Sequence, residues 1–109
     1  MSVKRIAQVI GIKPEEIEEY ERIHANVWPK VLATIKKANI KNYSIFRYEH
    51  LLFAYMEYTG ANYEEDMKLI AADPETQRWW KITAPMQSQV PEAQVGEWWH
   101  TIPENFHLE

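Results

Sequence analysis

An α+β fold, built as an antiparallel sheet with helices on one face, is predicted by three features of this 109-residue chain. Short runs of β-branched and aromatic residues alternate with stretches whose apolar residues recur every three or four positions. Two of the aromatic runs, 42–48 and 51–58, are separated by only two residues, the spacing of a hairpin. The helical stretches open on a proline or a capping side chain, so their starts are marked.

Residues 3–10 (VKRIAQVI) read as the first strand, and Gly11 to Pro14 as a turn. From Pro14 onward Ile17, Tyr20, His24, Val27, Val31 and Ile35 form one apolar stripe at helical spacing, widened by Ile23, Trp28 and Leu32. Pro29 interrupts it, because a proline cannot donate to the carbonyl four residues back and its ring crowds that carbonyl. The helix therefore breaks near Trp28 and resumes from Pro29 to about Ala38. Residues 42–48 and 51–58 follow as strands; Glu49-His50 between them lacks the usual Gly or Asn of a tight turn. Read by parity, Tyr43, Ile45, Leu51, Phe53 and Tyr55 make one set, and Phe46, Tyr48, Leu52, Met56 and Tyr58 the other. Both are apolar, so both sheet faces need cover. Asn62 with Glu65 resembles a capping box for a helix to about Ala72. Asp73-Pro74 starts another, to about Thr83. Residues 85–94 read as a loop, 95–99 (VGEWW) as a last strand, and Pro103 ends regular structure. The order is that of a ferredoxin-like βαββαβ domain, a single unit over residues 1–109. Its helices cover one sheet face. The aromatic other face calls for a partner, and a homodimer packed sheet on sheet supplies one.

Composition narrows the function. Twelve basic against sixteen acidic residues, net charge −4, argue against a nucleic-acid partner. Lys36, Lys37 and Lys41 are the only local basic cluster, placed where they complement a helix C-terminus. There is no cysteine, which excludes disulfides, thiolate nucleophiles and zinc–thiolate sites and accords with a cytoplasmic protein. No apolar run reaches membrane-spanning length, so no membrane partner is expected. His50, His100 and His107 complete the four histidines without HxH, HxxxH or HExxH spacing, and no metal site is expected. No phosphate loop or GxSxG elbow is present.

What remains is a pocket. Tyr20 and His24 lie one helical turn apart on one face, and an imidazole near pKa ~6.5 exchanges protons at neutral pH. A helix end and Glu21 would favour its charged form, and burial its neutral form. Tyr43 and Tyr20 can orient a hydroxylated ligand. Trp79 and Trp80 point about 100° apart on a helix, so one can enter the core while the other walls a cleft. Each of these residues has a plain packing reading as well: a core histidine, core tyrosines and a packed tryptophan pair.

Several short stretches, in order along almost the whole chain, resemble the L-rhamnose mutarotase family: Glu19-Tyr20-Glu21-Arg22 with His24 and Trp28-Pro29; Asn42-Tyr43 and Ile45; Leu51-Leu52-Phe53-Ala54 with Glu57; Gln77-Arg78-Trp79-Trp80-Lys81; and Phe106-His107-Leu108. Lys30 departs from the pattern, standing where an acidic residue is common. Asn26 is a second departure. The resemblance implies a dimeric ferredoxin-like α/β barrel that interconverts the α and β anomers of a deoxy sugar without cofactor or metal. It implies that His24 is the proton donor and that Tyr20, Tyr43, Trp79 and Trp80 bind the sugar. For mutarotation His24 is then expected to serve the ring oxygen as acid, with Tyr20 or a bound water serving the anomeric hydroxyl. It also makes the last residues part of the domain. A small dimeric monooxygenase and a non-catalytic sugar-binding module are the competing expectations.

Overall fold

The computed structural model describes residues 3–109. Strand β1 (Lys4–Ile12) leads through a 3-10 turn (Pro14–Glu16) into helix α1 (Ile17–His24). After the break come α2 (Pro29–Lys37), strands β2 (Ile40–Tyr48) and β3 (Leu51–Tyr58), and helices α3 (Tyr63–Ala72) and α4 (Pro74–Thr83). A second 3-10 turn (Ala84–Met86) runs into β4 (Gln87–Ser88), and β5 (His100–Ile102) closes the sheet. All pairings are antiparallel, in the order β2-β3-β1-β4, with β5 also on β1. This is the ferredoxin-like arrangement with its last strand in two pieces.

The expected starts are realised. Trp28 is extended (φ −58, ψ 131) ahead of Pro29, as the crowding of a pre-proline residue requires. The Asn62 side chain accepts the Glu65 N–H, and that of Asp73 accepts the Thr76 N–H, so both caps function. The hairpin closes through Tyr48 paired with Leu51, and Glu49 takes the left-handed conformation (φ 53) that Gly or Asn would normally supply.

Three expectations are corrected. Gly11 and Ile12 belong to β1, not to a turn, because β4 pairs with them. A Cβ on Gly11 would lie 2.7 Å from the Ser88 carbonyl oxygen, so the missing side chain is what lets β4 approach. Residues 95–99 are not a strand. Gly96 has φ +89, Val95 is fully exposed, and the Glu97 side chain ties the segment into a turn. The pairing with β1 is made instead by Gln87–Ser88, inside the expected loop, and by His100–Ile102.

The third correction concerns parity. A bulge between Lys41 and Ser44 inserts one residue into β2, and Asn42 sits there with φ 50, its Nδ2 donating to Glu57 Oε1 at 2.7 Å. The two-residue loop pairs Phe46 with Phe53 and Tyr48 with Leu51 on the open face, which leaves Tyr43 and Ile45 on the helix side with Leu52 and Ala54; the extra residue of the bulge brings Ile40 onto that same side. Leu52, Ala54, Met56 and Tyr58 alternate onto the helix side and are buried. Leu52 packs with Ile10, Ile12, Tyr20 and Met86 in one core cluster, and Met56 and Tyr58 with Ile6 and Ile40 in another.

Asn42 carries the bulge, so Asn42→Val, which forces a β-branched residue to positive φ, should lower unfolding stability by about 1–3 kcal/mol. Asn42→Gly should cost less. Urea denaturation of both variants checks the ordering.

Candidate functional site

Tyr20 is buried at the middle of α1, and its ring stacks on His24, 4.1 Å between centroids and 24° between planes. The pair follows from i, i+4 spacing on one helix face. His24 is the last residue of α1, where carbonyls lack helical partners. Its Nδ1 lies 2.8 Å from the Tyr20 carbonyl oxygen. A carbonyl only accepts, so Nδ1 carries the proton and Nε2 of the neutral ring is the free lone pair. Burial lowers the His24 pKa below that of a free imidazole, and the carbonyl bond offsets only part of this. Glu21 does not assist His24; its carboxylate is paired with Arg47 at 2.6 Å.

Trp79 of α4 is edge-on to both His24 and Trp28, with centroids 5.2 Å away in each case. It is 7% exposed, whereas Trp80 keeps 44% of its surface. The division expected of adjacent helical tryptophans is therefore present. Tyr43, carried inward by the bulge, is 40% exposed as a whole residue, yet the protein packed around its phenol, with Tyr20 and Tyr63 nearby, pushes its pKa up to about 12. Tyr20 is likewise raised to about 12 by burial, with a hydrogen bond from Gln87 opposing the shift. Both phenols stay protonated at neutral pH.

All five expected site residues line one cavity of about 1230 Å³ between the sheet and the helices. Its lining also includes Tyr63, Met67 and Ile70 of α3. A second cavity of about 260 Å³ also touches Tyr20 and His24 but has neither tryptophan nor Tyr43 in its wall. The larger one is therefore the candidate binding site. Gln87, Trp98 and Trp99 are among the lining residues that sequence reasoning did not single out. Gln87 was hidden in an apparent loop, and the Trp pair in an apparent strand. Among the described residues no cluster of three His, Asp or Glu has metal-site geometry, and no helix is long and apolar enough to cross a membrane.

The segment bearing Trp98 is held by Glu97. Its carboxylate accepts from the Gln94 N–H at 2.8 Å and the Thr101 N–H at 3.2 Å, and meets His100 Nδ1 at 3.0 Å. The Gln94 amide, then His100 and the Thr101 amide, bring its pKa down to about 2.

Fold and site together define a ferredoxin-like α+β protein with an aromatic cavity lined by a histidine and two protonated tyrosines. The chain belongs to the L-rhamnose mutarotase family, whose model matches residues 5–108. It is 31% identical to the L-rhamnose mutarotase of Oceanobacillus iheyensis, across 98% of this chain and 100% of that protein. It is 35% identical to that of Bacillus subtilis, across 77% of this chain and 80% of that one. The crystal structure of an L-rhamnose mutarotase from Formosa agariphila has the same fold, with TM-score 0.76 and 21% identity over 97% of this chain and 99% of that chain.

Because the Glu97 pKa lies below its ordinary value of 4.5, ionised Glu97 stabilises the fold above pH 4.5, and that contribution is lost as pH falls toward about 2. Thermal melts should show wild type above Glu97→Gln at neutral pH, the gap closing across that window. A gap independent of pH would contradict the assignment.

Proposed function

We propose that this protein is an aldose mutarotase that interconverts the α and β anomers of L-rhamnose or a closely related deoxy sugar. Family membership supports the activity. The observation that carries the assignment of residues is the convergence of Tyr20, His24, Tyr43, Trp79 and Trp80 on one cavity.

Mutarotation needs one proton removed from the anomeric hydroxyl and one delivered to the ring oxygen. As the hydroxyl O–H bond breaks, its electrons form the C1 carbonyl, the C1–O5 bond breaks, and O5 takes up a proton. After C1 turns, the steps reverse on the other carbonyl face. Each protein group therefore gives and receives one proton per turnover. The expectation from the sequence placed His24 at the ring oxygen as acid. Its lowered pKa favours a different starting role: neutral His24 takes the anomeric proton at Nε2, and returns it on closure. Tyr20, protonated at neutral pH and stacked on His24, delivers to the ring oxygen. Trp79 and Trp80 offer flat apolar surface to the sugar's C–H face and methyl group, and Tyr43 a hydroxyl to its oxygens. Acid–base help of about 10²–10⁴-fold plus positioning suffices for a reaction that water already performs. The exposed aromatic sheet face, with Phe46 and Tyr48 outermost, supports a homodimer packed through that face.

NMR exchange between L-rhamnose anomers tests the activity. Wild type should accelerate exchange at micromolar protein, and His24→Ala should lose about 10²–10⁴-fold of that acceleration. Exchange at the solvent rate with bound sugar would leave a binding module instead. The acceleration should fall on the acid side of an inflection below ~6.5, because protonated His24 has no lone pair to accept with. An acid limb of opposite sign would return His24 to the acid role. Sedimentation at micromolar concentration should give a dimer mass, and Phe46→Glu with Tyr48→Glu should shift it toward monomer.

A further inference from the structure

Gln87 is 6% exposed, polar, and so far without a role. It sits on β4, paired with Ile12 and held against β1 by the Gly11 close approach. Its amide bridges two residues of the cavity wall. The Trp98 Nε1–H donates to Gln87 Oε1 at 2.7 Å, and Gln87 Nε2 donates to the Tyr20 hydroxyl oxygen at 3.2 Å.

The chemistry of the three groups gives this chain one direction. An indole N–H donates and never accepts, so the amide must turn its oxygen to Trp98. The amide nitrogen then faces Tyr20 and can only donate. Tyr20 accepts there, and its own proton cannot point back toward Gln87. The hydroxyl proton is free for the cavity, on the wall shared with His24. We infer that Gln87, oriented by Trp98, is a positioning residue that makes Tyr20 a proton donor to the bound sugar. The inference rests on the acid role given to Tyr20 in the proposed mutarotation. It also assigns a purpose to the irregular 95–99 segment: a regular strand there is replaced by a turn that brings the Trp98 indole to Gln87.

The other titratable groups around this end are His24 and Tyr43 in the cavity wall, and Glu97 and His100, which bind one another beside Trp98. None of them bonds the Gln87 amide.

Two substitutions test the chain's direction. Gln87→Met keeps size and removes both hydrogen bonds. It should lower kcat for anomer exchange about tenfold, the worth of one oriented hydrogen bond, with KM little changed. Gln87→Glu makes the position acceptor-only when ionised, so it draws the Tyr20 proton away from the cavity and should lower kcat further. When protonated, the introduced carboxyl accepts from Trp98 and donates to Tyr20, as the amide does. The ratio of Gln87→Glu to wild-type kcat should therefore rise as pH falls. His24 titrates in both proteins, and any rise in its pKa caused by the new carboxylate would make the ratio fall as pH falls, so a rise reports protonation of the introduced carboxyl. Circular dichroism confirms that each variant is folded; should Gln87→Glu not fold, Trp98→Phe, which frees the amide to rotate, should lose kcat in the same sense as Gln87→Met. Wild-type kcat in folded Gln87→Met, or a flat ratio in folded Gln87→Glu, overturns the inference. If wild type itself fails to accelerate exchange, the mutarotase reading falls instead.

Discussion

Burial of Tyr20 on the inner face of α1 is the constraint on which the rest of the structure depends. Its ring is part of the core cluster with Ile10, Ile12, Leu52 and Met86, so it anchors the helix to the sheet. Its carbonyl receives His24 Nδ1 and thereby sets which imidazole nitrogen is free. Its hydroxyl receives Gln87. One residue thus joins packing, tautomer choice and a hydrogen-bond chain, and each link follows from the one before. A buried phenol cannot lie idle in a cavity, because an unpartnered buried hydroxyl costs about 1–3 kcal/mol.

The break after α1 serves this arrangement. If the helix continued, the carbonyls of its last turn would be engaged and the following residues would run on along the same axis. Pro29 ends it with Trp28 extended, and Trp28 then packs edge-on to Trp79, which in turn packs on His24. Segments far apart in sequence are brought into register by two aromatic contacts, both made by Trp79. The electrostatic outcome is set by that crowding: the helix end favours a charged imidazole, but removal of water from around His24 outweighs it.

Much of the fold was legible. Alternation and helical periodicity are local properties, and the Asn62, Asp73 and Pro29 signals act within one turn of chain, so they read correctly without tertiary knowledge. Tyr20 and His24 share a face by helical geometry alone. Less legible were the features that involve distant partners. The bulge at Asn42 is held by Glu57, fifteen residues away, and its one inserted residue reverses the facing of Ile40 and Lys41 relative to the rest of β2. The VGEWW run has strand composition, yet the Glu97 carboxylate gathers the Gln94 and Thr101 amides that flank the run, and the His100 ring, into a turn.

The sequence by itself determined the element order, the helix starts and break, the membership of Tyr20, His24, Tyr43, Trp79 and Trp80 in a candidate site, and the resemblance to a sugar mutarotase family. Only the tertiary structure decided how those residues work as a unit. The protonation balance of His24 depends on how many groups exclude water from it, and the direction of the Tyr20 proton depends on a glutamine sixty-seven positions along the chain. Both are matters of three-dimensional proximity between groups whose separation in sequence carries no trace of it.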